Sequence, residues 1–244
     1  MNTTGAVSVA GLTSEQKLKL NQDFALSAQT PLGNIVAVSD GAGSGIHSNI
    51  GSRCLCRTVV RAIQTDPKIN DVSEFSELIV HSIEKSLRTL RRLSNIYQLE
   101  AGITDFSATL LVAVQYNDHC YCAHLGDGAC MFFNSDDEPI KISLPDNGEY
   151  LNETYFVTDK DWKTKLRCFE LAERKANCLI MSDGVTPFAL RNKDPFLNFT
   201  KPLLNFLKTA TFDEATMAVN AMLNSSDARK VSKDDKSIAW WISC

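Results

Sequence analysis

Two short apolar runs in this chain end in the same way. Ile35-Val36-Ala37-Val38 leads into Ser39-Asp40-Gly41, and Cys178-Leu179-Ile180-Met181 leads into Ser182-Asp183-Gly184. A short, bounded run of apolar residues reads as a strand buried on both faces, so each of these strands delivers a carboxylate to its tip. Asp127 follows a third run, residues 120–126, and Asp234-Asp235 stands immediately before a fourth, residues 237–242. Asp23 precedes the short segment Phe24-Ala25-Leu26. Acids therefore stand beside strand ends at positions 23, 40, 127, 183 and 234.

Asp-Gly is also a strong hairpin-turn signal, because both residues tolerate positive φ. A turn explains any one of these sites. It strains at Asp40 and Asp183, where no complementary strand follows at once, and it strains further when five such sites share one set of sheets. If the carboxylates converge, their repulsion in a partly desolvated site costs several kcal/mol unless protons or cations intervene. Oxygen-only donors suit a hard divalent cation, and without convergent His or Cys zinc is disfavoured, which leaves magnesium or manganese. Two such ions sharing one carboxylate would lie about 3.5–4 Å apart and hold a water between them, a nucleophile suited to in-line attack on phosphorus.

Strand-like segments fall at 34–39, 107–115, 119–125, 129–133, 154–158, 178–182 and 237–243. Asn117-Asp118 and Asp127-Gly128 read as short turns joining neighbours. A helix is expected over 49–64, closed by Pro67. A second starts at the cap Asp71-x-x-Glu74 and runs to near Gly102, and a third starts at Thr211-x-x-Glu214 and runs to about Asn224. The run Lys85, Arg88, Arg91 and Arg92 on the second helix reads as a solvated face. Strands outnumber helices and the connections are local, so the fold class is α+β, with largely antiparallel sheets and helices outside. No repeat or Pro/Gly/Ser-rich linker divides the 244 residues, which points to one domain over 1–244.

A net charge of −4 offers no basic footprint for nucleic acid. No apolar stretch reaches the about 20 residues of a membrane helix, and the start has no secretion-signal pattern. The eight cysteines lie mostly in apolar runs without zinc spacing, the pattern of reduced thiols in a cytoplasm.

Taken in order, Asn21-Gln22-Asp23, "VAVSDGAGSG" (36–45), "HLGDG" (124–128), "LIMSDG" (179–184) and "KDDKSIAWW" (233–241) resemble the motifs of the type 2C, metal-dependent Ser/Thr protein phosphatases. The match spans about 220 residues. The form "DGAGS" and the segment "GEYLNETYFVTD" (148–159) are most similar to a bacterial branch of that family. The resemblance implies a four-layer α-β-β-α sandwich, two central antiparallel sheets flanked by helices, with a metal cleft at one end and a flap over about 140–170. It implies two or three Mn²⁺ or Mg²⁺ ions. Asp40 would bridge two of them, the Gly41 carbonyl would ligate one, and Asp183 and Asp234 would hold the other. Asp127 would help bind a third, weaker ion. Asp23 would orient water from behind the metals, and Gln22, where some relatives place a metal-ligating Glu, would act only indirectly. The implied partners are a phosphorylated protein substrate and an opposing Ser/Thr kinase.

Two departures stand out. Many relatives carry an Arg about five residues before the first motif's Asp, gripping the substrate phosphate; here Leu18 stands there, flanked by Lys17 and Lys19, either of which offers a point charge without the bidentate fork. Ala42 occupies the place of a His that many eukaryotic relatives use as a proposed general acid. A catalytically weak phosphatase fold that docks a signalling partner is the alternative the missing Arg supports. A nucleotide-binding reading of "SDGAGSG" fails on spacing, because Ile46 and Ser48 stand where a third Gly is needed and no Gly-Lys-Ser/Thr is present.

Overall fold

Every central strand is covered on both faces, and this explains why antiparallel strands here read as unbroken apolar runs. In the computed structural model, residues 3–13, 15, 17–31, 33–65, 69–146, 154–173 and 175–243 are described. One sheet runs in the order β1 (Thr3–Val9), β12 (Lys236–Ile242), β9 (Asn177–Met181), β6 (Ala129–Phe133) and β7 (Pro139–Ser143). The other runs β2 (Phe24–Thr30), β3 (Gly33–Ser39), β4 (Leu110–Tyr116), β5 (His119–Leu125) and β8 (Arg167–Leu171). All pairings within them are antiparallel. A two-residue ribbon, β10 (Leu190–Arg191) with β11 (Asp194–Pro195), lies apart from both.

The side-chain alternation of each strand sorts the core into three layers. Val36, Val38, Leu111, Ala113 and Cys122 meet Cys130, Phe132, Ile180 and Trp241 between the sheets. The opposite faces of the second sheet, Ile35, Ala37, Leu110, Val112 and Val114, lie under α1 (Ser48–Thr65) and α2 (Val72–Tyr97) through Leu55, Val59, Phe75, Ile79 and Ile83. The first sheet offers Val7, Met131, Leu179, Ile238 and Trp240 to α5 (Leu197–Thr209) and α6 (Phe212–Leu223). Short helices α3 (Trp162–Lys165), α4 (Thr186–Ala189) and α7 (Ser226–Val231) complete the chain. The result is the expected α-β-β-α sandwich.

Both capping motifs work as helix starts. Asp71 accepts from the Ser73 and Glu74 amides, and Thr211 and Glu214 form a reciprocal capping box. Pro67, read as the stop of the first helix, lies outside the described residues. The basic run on α2 is exposed. Two expectations are corrected. Residues 154–158 form no strand: Thr154 makes a lone bridge and the chain then turns, with Val157 buried on the helix side of the second sheet. Asp127-Gly128 is not a hairpin turn, because β5 and β6 belong to different sheets. This link crosses the end of the sandwich, with Gly126 supplying the left-handed corner at φ +117°.

Strand register then brings the acids together. β3 and β5 end, and β2 and β4 begin, at one edge of the second sheet: Ser39 pairs with Phe24, and Leu110 with Leu125. In the first sheet Met181, the last residue of β9, pairs with both Ile238 near the start of β12 and Ala129 at the start of β6. Asp23, Asp40, Asp127, Asp183 and Asp234 therefore share one end of the molecule.

The glycines after Asp40, Asp127 and Asp183 are there for close approach. A Cβ on Gly41 would meet the Gln22 carbonyl oxygen at 2.5 Å, one on Gly128 the Met181 oxygen at 2.5 Å, and one on Gly184 the Asp235 oxygen at 1.9 Å. Each obstacle is backbone, so it cannot swing aside. Gly184→Ala is expected to destabilise the fold by about 2–3 kcal/mol in urea unfolding, because overpacking here must move a strand. Gly43→Ala, where a Cβ meets nothing within 4 Å, is expected to stay within about 0.5 kcal/mol of the parent.

Candidate metal centre

The shared end opens into a pit of about 140 Å³ lined by Lys19, Gln22, Asp40, Gly41, Asp127, Thr154, Phe156, Asp183 and Asp234, among others. One carboxylate oxygen from each of Asp40, Asp127 and Asp183 lies within 4.8 Å of the other two. Asp40 comes from β3, Asp183 from β9, and Asp127 from the link between sheets, so the cluster exists only where the two sheets meet.

Neighbouring hydroxyls and amides hold these acids in place. The Asp40 amide donates to Thr109 Oγ1 at 2.9 Å and its carbonyl accepts from the Thr109 amide at 2.8 Å. Asp23 is buried, 4% exposed, and its Oδ2 accepts from the Ser182 hydroxyl at 2.7 Å. Ser182 in turn accepts from the Ser237 amide, which ties β9 to β12. The Thr154 hydroxyl donates to Asp127 Oδ2. Gln22 spreads its amide over the loop after Asp40, reaching the carbonyls of Ala42 and Gly45 and the Ser48 hydroxyl. That is the indirect role its position implied.

The paired acids at the start of β12 divide their work. Asp235 is buried and accepts from the Gly11 amide at 2.6 Å and the Gln22 amide at 2.8 Å. Asp234 faces the pit, and its Oδ1 lies 2.6 Å from Lys19 Nζ. Lys19 is the lysine that reaches the pit. Lys17 points away and pairs with Glu15 at 2.7 Å in a well-exposed contact. None of the pit-lining residues is a histidine.

Crowding raises the proton affinity of these carboxyls. Burial is the main cause at Asp23, which is pushed up to about 7, with the charges of Asp235 and Asp183 adding to it. Asp40 is raised well above the ordinary carboxylate range by burial and then by Asp23 and Asp183, both within hydrogen-bonding reach. Asp183 rises to about 6, and Asp127 is also raised, each chiefly by burial. At Lys19 burial works against the charge, but Asp234, Asp235 and Asp23 outweigh it and the ammonium is held more firmly protonated. Asp23 Oδ1, Asp127 Oδ1 and Asp183 Oδ1 are buried with no hydrogen-bond donor. Such orphaned oxygens in an oxygen-only set fit a hard divalent cation.

Ser182, Thr109 and Asp235 were not singled out in the sequence. The shared serine of the two Ser-Asp-Gly runs was the available signal: Ser39 donates to the Thr109 carbonyl as Ser182 donates to Asp23.

Solved structures of the same architecture are bacterial phosphatases. The serine/threonine phosphatase of S. agalactiae aligns over 100% of both chains with TM-score 0.67 and 16% identity. The catalytic domain of the serine/threonine protein phosphatase PstP, solved in complex with two manganese ions, aligns over 99% of this chain and 97% of its own with TM-score 0.67 and 14% identity. In sequence, Serine/threonine-protein phosphatase 3 of Escherichia coli (strain K12) is 24% identical over 219 residues, 88% of this chain and 85% of that protein. Fold and sequence together define a phosphoprotein phosphatase. The family model of Protein phosphatase 2C matches residues 10–224, and the chain belongs to that family.

Without cations the raised acids keep protons in the folded state over a pH range where the unfolded chain has released them. Stability of metal-free protein therefore falls as pH rises from about 4 to about 7. Thermal melts in EDTA are expected to give a lower midpoint at pH 7.5 than at pH 5.5, and Mn²⁺ to restore it. Asp40→Asn is expected to raise the metal-free midpoint at pH 7.5, by about 2–4 °C for each kcal/mol of repulsion relieved, and to shrink the response to Mn²⁺.

Proposed function

We propose that this chain hydrolyses phosphoserine and phosphothreonine esters on proteins, using two Mn²⁺ or Mg²⁺ ions held in the acidic pit. The observation that carries this reading is the meeting of Asp40, Asp127 and Asp183, with buried oxygens of Asp127 and Asp183 lacking any donor. The name of the E. coli relative and the two manganese ions of the PstP domain support it. Asp40 would be shared by both ions and the Gly41 carbonyl would complete one of them. Asp183 and Asp234 would hold the other, and Asp127 would serve a third, weaker one.

Bound there, the ions supply neutralising charge for the phosphoryl oxygens and a water acidic enough to act as the in-line nucleophile. The chain's own groups do the positioning. Asp23, fixed by Ser182 and within reach of Asp40, would orient water from behind the metals. Lys19 offers a single ammonium to the phosphate in place of a bidentate Arg. Gln22 and Thr109 keep the loop carrying Asp40 and Gly41 rigid.

We further propose one phosphatase domain over 1–244, with the segment 140–170 reaching over the pit. Thr154 and Phe156 line the pit from that segment, while β7 and β8 take its ends into the two sheets. Residues 147–153, including the first half of the "GEYLNETYFVTD" stretch, lie outside the described residues, as does Cys244. The seven described cysteines are free thiols, which suits a cytoplasmic setting with a Ser/Thr kinase acting in the opposite direction. Among the described residues no helix is long and apolar enough to cross a membrane.

Purified protein assayed with p-nitrophenyl phosphate and a phosphothreonine peptide is expected to turn over with Mn²⁺ and to stop in EDTA. Asp40→Asn and Asp183→Ala are each expected to lower kcat by about a hundredfold or more at saturating Mn²⁺ while leaving circular dichroism unchanged. Wild-type rate in Asp183→Ala overturns its place as a ligand. Bound Mn²⁺ with no turnover of any phosphoester makes the chain a docking module on a phosphatase fold.

A further inference from the structure

We propose that Lys19 is a tethered cation that competes with a divalent ion for Asp234, so that the ion held by Asp40 and the Gly41 carbonyl enters first and the ion that needs Asp234 enters by displacing the lysine. This rests on the metal-dependent reading above and adds to it a residue that sets metal affinity.

Three observations carry it. Lys19 Nζ lies 2.6 Å from Asp234 Oδ1 and 3.6 Å from Asp235 Oδ1, inside the lining of the pit. Asp234 Oδ1 also accepts the Asp235 amide at 2.9 Å, so that oxygen already serves two donors. Asp234 is not one of the three acids whose oxygens cluster within 4.8 Å. An ion held by Asp40 and the Gly41 carbonyl can therefore settle without disturbing the lysine, whereas an ion that draws on Asp234 must take it from the ammonium.

The backbone beneath Lys19 stays put during such an exchange. Leu12 and Leu18 form a bridge, the Leu12 amide donates to the Lys233 carbonyl at 2.8 Å, and the Lys19 amide donates to Gly11. Asp235 pins the Gly11 and Gln22 amides on either side. Only the four-carbon stem needs to swing, and a compact ammonium leaves a carboxylate more readily than a guanidinium fork does. The ammonium so released remains over the pit, facing an incoming phosphoryl group. Its charge is thus committed to Asp234 when metal is scarce and available when metal is bound.

The size of the effect follows from the pair's exposure. The lysine side chain is 28% exposed and the aspartate 54%. Competition from a pair of that kind weakens the second ion by about twofold to fivefold.

Mn²⁺ binding, followed by the electron paramagnetic resonance signal of free Mn²⁺, tests this without any turnover. Wild type is expected to show a tighter and a weaker class of site. Lys19→Met is expected to tighten the weaker class by about twofold to fivefold and leave the tighter one unchanged, with Lys19→Gln as a second neutral variant should the first fold poorly. Lys19→Arg is expected to keep the weaker class at least as weak as in wild type, and Asp234→Asn to remove it. Identical Mn²⁺ isotherms for wild type, Lys19→Met and Lys19→Gln overturn the inference while leaving the metal reading intact. No Mn²⁺ binding by any of these proteins overturns both.

Discussion

Carboxylates repel one another, and the strand ends of this sandwich hold several of them in one small pit. Asp40 feels Asp23 and Asp183 directly, and Asp183 feels Asp127 and Asp234. The surrounding structure is organised to resist that repulsion. Thr109 clasps Asp40 from both sides of its peptide, Ser182 fixes Asp23, and glycines at 41, 128 and 184 let the chain lie flat against neighbouring backbone. Rigidity of this kind keeps ligand oxygens in place while their charges push apart, a local cost offset by three apolar layers packed elsewhere.

Because the acids come from both sheets, the pit depends on the packing between the sheets. Phe132 and Trp241 contact edge-on in that interface, and the small side chains of Ala113, Cys122, Cys130 and Cys178 fill the space around them. A shift of one sheet over the other would separate Asp40 from Asp183 before it exposed either. The crossing at Gly126–Gly128 guards against this, since it joins β5 to β6 at the very end where the acids meet. Asp127 sits on that crossing, so one short link both ties the sheets and supplies a carboxylate to the pit.

The strands that build the pit were legible because burial on both faces leaves an unbroken apolar signature: β3, β5, β6, β9 and β12 all fall within a residue or two of expectation. β1 and β2 were missed because Thr, Ser and Gln interrupt them, and β7 because one of its faces is solvated. Residues 154–158 carried a strand-like composition, yet Tyr155 and Val157 pack into the helix-side core while Phe156 lines the pit. At the pit, the acids were readable as a group because each follows or precedes an apolar run. Of their supports, only Ser182 had a signal, the serine shared by the two Ser-Asp-Gly runs, whereas Thr109 looks like any other hydroxyl. Lys17 and Lys19 were equivalent in sequence, and only tertiary pairing, one with Glu15 and the other with Asp234, separates them. The same limit applied to Asp127-Gly128, whose hairpin signature gives no hint that its flanking strands lie in different sheets.

Asp234 and Asp235 stand side by side in the bend before β12, yet they face different ways. Asp235 is turned inward, where two backbone amides saturate it; Asp234 is turned outward to the pit and Lys19. The inward acid fixes the segment that carries Lys19, and the outward acid is what Lys19 holds. Anchor and exchangeable contact are thus neighbouring residues, the first held by backbone amides and the second by the lysine. Loss of the Lys19–Asp234 pair to a competing cation leaves the Asp235 anchor whole, so the lysine can change partners while its backbone stays at the rim of the pit.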